Sequence, residues 1–137
     1  MAFWLVKSEP EAWSWQDHVK AGVAEWDGVR NAQASNHLKA MRNGDHAFFY
    51  HSGKDRQVVG TLEVVKEYYP DPSDASGRFG MVDFQALDPL PRLVGLGEIK
   101  ADERLGHLAL VRQSRLSVMP IDDEAWRIIL QLAGTGP

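Results

Sequence analysis

Four short stretches of the chain are either continuously apolar or alternate between apolar and polar residues, and both patterns are typical of β-strands. These stretches are rich in aromatic and β-branched residues and lie at Phe3–Lys7, Ala47–His51, Val58–Tyr69 and Phe79–Leu87. In the second stretch aromatic residues occupy both parities, so we expect both faces of that strand to be buried. In the third stretch, Glu63 and Glu67 lie at positions of the same parity, so we expect one face of that strand to be exposed to solvent. Gly60 in the same stretch indicates a bulge or a close backbone approach.

Capping residues and glycines delimit three predicted helices. The first lies between Ser14 and Gly22, the second extends from about Arg30 to Arg42, and the third covers Ala125 to Leu132. At helical spacing the second helix has a narrow apolar stripe beside a stripe of hydrogen-bonding side chains. The apolar stripe consists of Ala34, Leu38 and Met41, and the polar stripe of Asn31, Ser35, Lys39 and Arg42.

The C-terminal part of the chain has weaker patterns. We expect an irregular connection over Leu90–Gly106 with a short helix near Ala101–Leu105, and a last strand at Leu116–Met119 that Pro120 ends. Several strands of differing parity with few helices predict an α+β fold, a small curved mixed sheet or β-barrel with helices packed around it. Without a repeat or a change of composition, residues 1–137 are expected to form a single domain.

Composition narrows the chemistry. The 137 residues include no cysteine, which excludes disulfides, thiolate metal sites and cysteine nucleophiles. No apolar run is long enough for a membrane span and no signal peptide is recognisable, so we expect a cytoplasmic protein without membrane contact. The net charge of −4 argues mildly against nucleic acid. Residues 30–66, however, contain six Lys/Arg and three Asp/Glu, an excess of +3 that suits a small anionic ligand or is a solvated face.

Motifs for catalysis and for metal binding are scarce. The five histidines lack metal-ligand spacing, and there is no nucleotide-binding glycine loop or nucleophile elbow, so we expect no metal and no cofactor. Lys7, Ser8 and Glu9 follow one another at the end of the first strand. A desolvated lysine beside a hydroxyl and a carboxylate could act as a base or nucleophile. A strand end whose serine caps a turn is the simpler interpretation.

Trp26 stands directly before the second helix, separated from it by an Asp-Gly turn. An indole face followed by amide and hydroxyl side chains can hold a planar heterocycle, because the ring stacks while the polar groups bind its edge. The alternative is that Trp26 is a core aromatic residue beneath a turn.

Three sequence blocks together resemble the EVE-domain family. They are WLVKSEPEAWSW from Trp4, EWDGVRNAQASNHL from Glu25 and LALVRQSRLSVMPI from Leu108. The resemblance extends over nearly the whole chain. It implies a PUA-like fold related to the YTH domains, which read methylated adenine in RNA. It also implies binding of a modified base, chiefly a modified cytosine in DNA and alternatively a modified RNA base, flipped out of its stack into an aromatic pocket.

The resemblance also implies roles for particular residues. Trp26 is similar to the first wall of an aromatic cage, Asn31 to a polar helix residue that reads the base, and Phe79 to a second wall. The other expected binding residues come from strand ends and from the V-R-Q-S block: Lys7, Ser8, His51, Ser52, Arg112, Gln113 and Ser114.

We therefore expect a monomeric, non-catalytic module that binds nucleic acid carrying a modified base. Two other hypotheses stay open. One is a hydrolase of a nucleobase or small amide that uses Lys7, since PUA-like relatives of the ASCH type include such enzymes. The other is a small-molecule or protein-binding module without a nucleic-acid role.

Overall fold

The computed structural model describes residues 1–135 and contains a six-stranded mixed sheet with helices on its faces and ends. Strand order across the sheet is β2-β5-β4-β3-β1-β6. In chain order the elements are β1 (Phe3–Ser8), α1 (Trp15–Ala21), β2 (Val23–Glu25), α2 (Ala32–Ala40), β3 (His46–His51), β4 (Gln57–Pro70), β5 (Gly80–Gly95), α3 (Leu96–Ala101), a 3₁₀ turn (Glu103–Leu105), α4 (Ala109–Arg112), β6 (Val118–Ile121) and α5 (Asp123–Leu132).

The centre of the sheet is its most apolar part. β1 pairs in parallel with β3 and antiparallel with β6. Both faces of β3 are buried, as the parity of its aromatic residues predicts. Phe48 stacks on Trp126 of α5 with ring centroids 3.8 Å apart, whereas Phe49 meets the edge of Trp26 at 5.4 Å. The two rings therefore anchor two separate layers, one on each side of the strand.

Gly60 is the point of close approach that the sequence predicts. A Cβ atom at this position would lie 2.6 Å from the Trp15 ring, so no larger residue fits there without movement. The pairing of β4 with β3 and β5 also shifts register around Gly60. Such irregularities bend strands. The predicted solvent-exposed face of β4 is present only beyond Glu63. Val59 and Thr61, which lie on the same face as Glu63, are buried.

The fold class is confirmed, although the sheet is curved rather than closed into a barrel: within residues 1–135, β2 and β6 are its two edges. Two sequence expectations were wrong. Pro120 does not end the last strand but lies inside β6 opposite Trp4, which an edge strand tolerates because one side of it needs no N–H donor. The segment from Leu90 to Gly95 is not irregular but continues β5, where Val94 pairs with Val58.

The predicted helix caps are confirmed. Ser14 and Asp17 form a reciprocal capping box at the start of α1, and Asp122 caps α5. The apolar stripe of α2 is fully buried. None of the helices within residues 1–135 is long and apolar enough to cross a membrane.

Candidate functional site

A cavity of about 500 Å³ opens where β1 ends and β2 passes into α2. We call it the tryptophan cavity. The residues that line it include Lys7, Ser8, Ala12, Trp13, Ala21, Val23, Ala24, Glu25, Trp26 and Asp27. Its size lies in the range of ligand-binding clefts, and it combines two indole rings with one cationic and two anionic side chains. It therefore suits a planar ligand with polar edges.

Trp26 is a rigid part of this cavity. Only 6% of the residue is exposed, and its backbone N–H donates to the Val82 carbonyl at 2.8 Å. Behind it, Phe49 and Phe84 meet the indole edge-on, with centroid distances of 5.4 and 5.6 Å. Trp26 thus belongs to the core and lines the cavity at the same time, so the two interpretations of its role are compatible. A ring held in this way needs no ordering when a ligand stacks on it.

Trp13 is the second indole, and sequence reasoning missed its role. Its Nε1–H donates to Nδ1 of His18 at 3.0 Å, while Nε2 of His18 lies 2.8 Å from the Phe84 carbonyl. His18 therefore accepts from Trp13 and donates to Phe84, which requires the neutral ring. Burial lowers the pKa of His18 and favours that form. The available signal was the helix start at Ser14, because Trp13 directly precedes that cap.

Asp71 holds the segment that follows Trp26. This buried carboxylate accepts hydrogen bonds from the N–H of Gly28, the guanidinium of Arg30, and the backbone and hydroxyl of Ser73. Burial by itself would raise the pKa of Asp71, but these four bonds outweigh it and lower the pKa to about 2. The β4–β5 loop thereby fixes the turn between Trp26 and α2.

Lys7 and Ser8 line the tryptophan cavity, and each has a structural hydrogen-bond partner. The Lys7 Nζ donates to the Ser114 carbonyl at 3.0 Å, and the Ser8 hydroxyl donates to the Trp13 carbonyl at 2.7 Å. Burial lowers the pKa of Lys7. Within residues 1–135 no hydrogen bond joins Lys7 to Ser8 or to the Glu9 carboxylate. The geometry therefore offers no preassembled nucleophile and base.

Asn31 lies elsewhere than the base-reading role would suggest. Its side-chain oxygen accepts from the Ala34 N–H at 2.9 Å and caps α2. It lines a second cavity, of about 340 Å³, which we call the α2–α4 groove. The other residues lining the groove are Gln33, Arg112, Gln113, Ser114, Arg115 and Leu116.

The remaining predicted residues are dispersed. His51 accepts the Trp15 backbone N–H through Nε2 at 3.0 Å and is buried, and that burial lowers its pKa. Phe79 lies between two guanidinium groups, at 5.9 Å from that of Arg30 and 5.1 Å from that of Arg78. Ser52 and Ser114 line a third cavity, together with Lys7. Eight of the ten predicted residues thus line three cavities. Lys7 lines the first and third of these cavities, and Ser114 lines the second and third.

No group of three or more His, Asp or Glu side chains within residues 1–135 is arranged to hold a metal ion. The donor groups around the tryptophan cavity suit an organic ligand, through stacking and hydrogen bonds.

Residues 2–132 match the EVE domain, and the chain is a member of the EVE-domain family. Mouse thymocyte nuclear protein 1 is 37% identical, over 98% of this chain and 75% of the mouse protein. The solution structure of Rpa0253 from Rhodopseudomonas palustris superposes with a TM-score of 0.92 at 48% identity, covering 98% of this chain and 94% of that one.

A further relative was crystallised with a ligand. Human THYN1, in complex with 5-methylcytosine containing DNA, superposes with a TM-score of 0.90 at 34% identity, over the full length of both chains. That structure establishes DNA with a modified cytosine as a ligand of the human protein.

Proposed function

We propose that this protein is a non-catalytic module that binds DNA carrying a modified cytosine, with the modified base flipped out of its stack into the tryptophan cavity. The observation that carries the proposal is the pair of indoles, Trp13 and Trp26, lining a cavity of about 500 Å³ in a chain of this family. The human relative crystallised with 5-methylcytosine containing DNA supports the class of ligand.

Stacking supplies the first part of the interaction. An aromatic ring beneath a base contributes roughly 1–3 kcal/mol, and the core behind Trp26 holds that ring in place. A base must leave the helix to reach such a cavity, which costs a few kcal/mol of unstacking and unpairing. Two indole walls supply a compensating apolar surface for the flipped base.

The polar lining favours cytosine over thymine and uracil. Glu25 and Asp27 flank Trp26, and both line the cavity. Carboxylates accept hydrogen bonds from the exocyclic amine of cytosine, which thymine and uracil lack. In this proposal the acidic pair reads the amine, in place of the Asn31 side chain, whose oxygen caps α2. The methyl group of a modified cytosine would then face the indole walls.

A binding role accounts better than hydrolysis for the chemistry around Lys7. Its ammonium group donates to a backbone carbonyl, and the Ser8 hydroxyl donates to another. Both groups are therefore engaged in fixing the cavity rather than poised for proton transfer.

Binding to matched oligonucleotides tests this function. Duplex and single-stranded DNA of one sequence would carry 5-methylcytosine, cytosine or thymine at a single central position, and RNA with 5-methylcytidine would be the fourth ligand. We expect the 5-methylcytosine DNA to bind most tightly in fluorescence anisotropy. Equal affinity for modified and unmodified strands would overturn the proposal, and tighter binding of the RNA would redirect it to RNA.

The paired variants Trp26→Phe and Trp126→Phe provide a control. Both tryptophans are 6% exposed, and they pack on opposite faces of β3 against Phe49 and Phe48 respectively. Each variant keeps an aromatic ring in the core. We expect only Trp26→Phe to weaken binding of the modified strand, by roughly 1 kcal/mol or more because a smaller ring stacks less well. Equal affinities of the two variants for the modified strand would show that Trp26 has a purely structural role.

A further inference from the structure

A smaller cavity, of about 200 Å³, lies next to the tryptophan cavity and shares Lys7 with it. We call it the tyrosine cavity. Its polar lining residues are mainly hydrogen-bond donors: Lys7, Tyr50, Ser52, Arg56, Lys100 and Ser114. Lys7 and Tyr50 are register partners in the parallel pair β1–β3, so both side chains project from the same face of the sheet. Lys7, near the end of β1, therefore lines both cavities.

Tyr50 provides a hydrogen-bond donor to this cavity. The residue is only 2% exposed, yet its hydroxyl has no hydrogen-bond partner within residues 1–135. No fully buried side-chain oxygen in that range lacks a partner, so the hydroxyl must reach the open space of the cavity. Burial raises the pKa of Tyr50 to about 12, although the positive charge of Arg56 opposes this. The phenol therefore keeps its proton and offers a donor.

Three cations surround this donor. The Lys7 Nζ lies 5.7 Å from the centre of the Tyr50 ring and uses one of its N–H groups on the Ser114 carbonyl. Arg56 and Lys100 line the cavity from the β3–β4 turn and from α3. Their positive charges converge on one cavity in a chain whose net charge is −4, so the cavity is locally attractive to an anion.

Arg56 has an unusual backbone. Its φ of 46° lies in the left-handed region, and it is the one non-glycine residue with positive φ within residues 1–135. The Arg56 carbonyl accepts the Leu96 N–H at 2.8 Å, which fixes this conformation. Strained positions of this kind persist where the surrounding structure requires them and often mark binding sites.

The acidic groups near the cavity are few. Asp55 lies 3.6 Å from Nδ1 of His51, and its side chain is 44% exposed. Glu9 lies near Gly53, with its Oε1 3.9 Å from the position a Gly53 Cβ would occupy. Within residues 1–135, neither carboxylate lies within 4.0 Å of the charged nitrogens of Lys7, Arg56 or Lys100. The three cations are thus available to an outside anion.

We propose that the tyrosine cavity binds an oxyanion, namely the phosphodiester group next to the base held in the tryptophan cavity. This rests on the proposed function. The hydroxyls of Tyr50 and Ser52 and the cations Lys7, Arg56 and Lys100 supply the directional donors and the charge that phosphate oxygens take. Because Lys7 separates the two cavities, the base and its own backbone phosphate would occupy neighbouring sites. Affinity would come from the tyrosine cavity, and base selectivity from the tryptophan cavity.

Ligands with and without phosphate test this division in ¹H–¹⁵N NMR titrations. The probes are 5-methyl-2′-deoxycytidine, its 3′- and 5′-monophosphates, and inorganic phosphate. The Trp13 and Trp26 indole N–H signals report on the tryptophan cavity, and the Gly53 amide reports on the tyrosine cavity. We expect the nucleoside to move only the indole signals, and one monophosphate to move both sets and to bind roughly tenfold more tightly.

The variants Tyr50→Phe and Arg56→Gln remove a donor and a charge from the tyrosine cavity. Their matched controls are Tyr68→Phe and Arg127→Gln, which change residues away from both cavities. We expect the site variants to lose most of the monophosphate advantage, while binding of the nucleoside is retained. In the oligonucleotide, both site variants should weaken modified and unmodified strands alike, and Arg56→Gln should reduce the salt dependence of binding by about one phosphate contact.

The outcomes separate the two proposals. Equal binding of nucleoside and monophosphates by the wild-type protein, or site variants that match their controls, would overturn the oxyanion site. Phosphate-dependent binding without preference for 5-methylcytosine would support the oxyanion site and overturn the proposed function. Binding of inorganic phosphate as tight as that of the monophosphates would contradict the assignment to the nucleotide backbone.

Discussion

At the scale of single residues, the tryptophan cavity is shaped by groups that stand behind its walls. His18 accepts a hydrogen bond from Trp13 and lies 6.0 Å from the Trp26 ring, so one buried imidazole contacts both indoles. Phe49 packs edge-on against Trp26 and against Trp15, at 5.4 and 5.6 Å. The positions of the walls thus depend on a continuous aromatic layer that reaches Trp15, beyond the cavity itself.

Gly60 packs directly against Trp15, so a substitution at Gly60 tests how rigidly this aromatic layer is held. The change Gly60→Ala places a methyl group 2.6–2.7 Å from three atoms of the Trp15 ring, and the ring must move. We expect the variant to lose about 1–3 kcal/mol in free energy of unfolding, the usual cost of overpacking. Urea denaturation followed by tryptophan fluorescence measures the loss.

Gly97→Ala is the matched control for this change. Gly97 lies in α3 with nothing within 4 Å of the added methyl group, so we expect its stability to be unchanged or raised by up to about 1 kcal/mol. If both variants were equally stable, the Trp15 layer would tolerate displacement, and the argument for a rigid wall would fail.

At the scale of elements, the β4–β5 loop and the N-terminal end of α2 behave as one unit because Asp71 joins them. Four donors converge on this carboxylate. The change Asp71→Asn leaves one acceptor oxygen and introduces an NH₂ group that faces other donors. We expect a loss of about 1–3 kcal/mol in free energy of unfolding and weaker binding of a base, because Gly28 follows directly after Trp26 and Asp27.

Asp88→Asn provides the comparison for Asp71→Asn, since it removes the same charge from an exposed position on β5. Urea denaturation of both variants, with hydrogen exchange of the Gly28 amide, measures the effect. Faster exchange at Gly28 in Asp71→Asn alone is the expected result. Unchanged exchange there would mean that the turn after Trp26 is held by other contacts.

Elements with a strong local signal could be predicted from the sequence. Ser14, Asp17 and Asp122 cap helices through bonds to residues only a few positions away, so spacing alone reveals them. Strands with regular parity, such as β3 and the first part of β5, were predictable for the same reason. Only three residues form β2, which exists because β5 offers it a partner, and no local pattern marks it.

The site was harder to predict than the fold because its contacts are tertiary. Trp26, Lys7 and Ser8 were identified through family motifs, and the structure brings them to one cavity. Trp13 was missed because its role depends on His18 and on the end of β1 together. The base-reading role of Asn31 was expected from the family resemblance, and in the structure its amide oxygen caps α2. The roles of all predicted binding residues stay predictions until binding is measured.

At the scale of the whole molecule, buried histidines make stability depend on pH. Burial lowers the pKa of His18, His37 and His51 below the ordinary value of 6.5. The unfolded chain therefore takes up protons near pH 6.5 that the folded chain resists. Stability is full above that pH and falls as the pH drops through it towards the lower folded values. Each histidine changes the slope by at most about 1.4 kcal/mol per pH unit.

Urea denaturation at pH 7.5, 6.5 and 5.5 measures this slope, and we expect the free energy of unfolding to decrease with each step. The change His18→Gln removes one titrating group from the core and should make the slope shallower, whatever its effect on stability at pH 7.5. A slope that His18→Gln leaves unchanged would show that His18 does not contribute to the acid sensitivity.

The position of β1 between β3 and β6 has a consequence for how the protein matures. The Lys7 backbone N–H donates to Ser117 and its ammonium group to Ser114, 107 residues further along the chain. Contacts of such long range form late in folding, because the intervening loop must first be closed. A chain emerging from the ribosome therefore cannot complete either cavity until the segment leading into β6 has been made. The Lys7 ammonium group, which lines both cavities, is thus fixed in place only once the last strand of the sheet has been added.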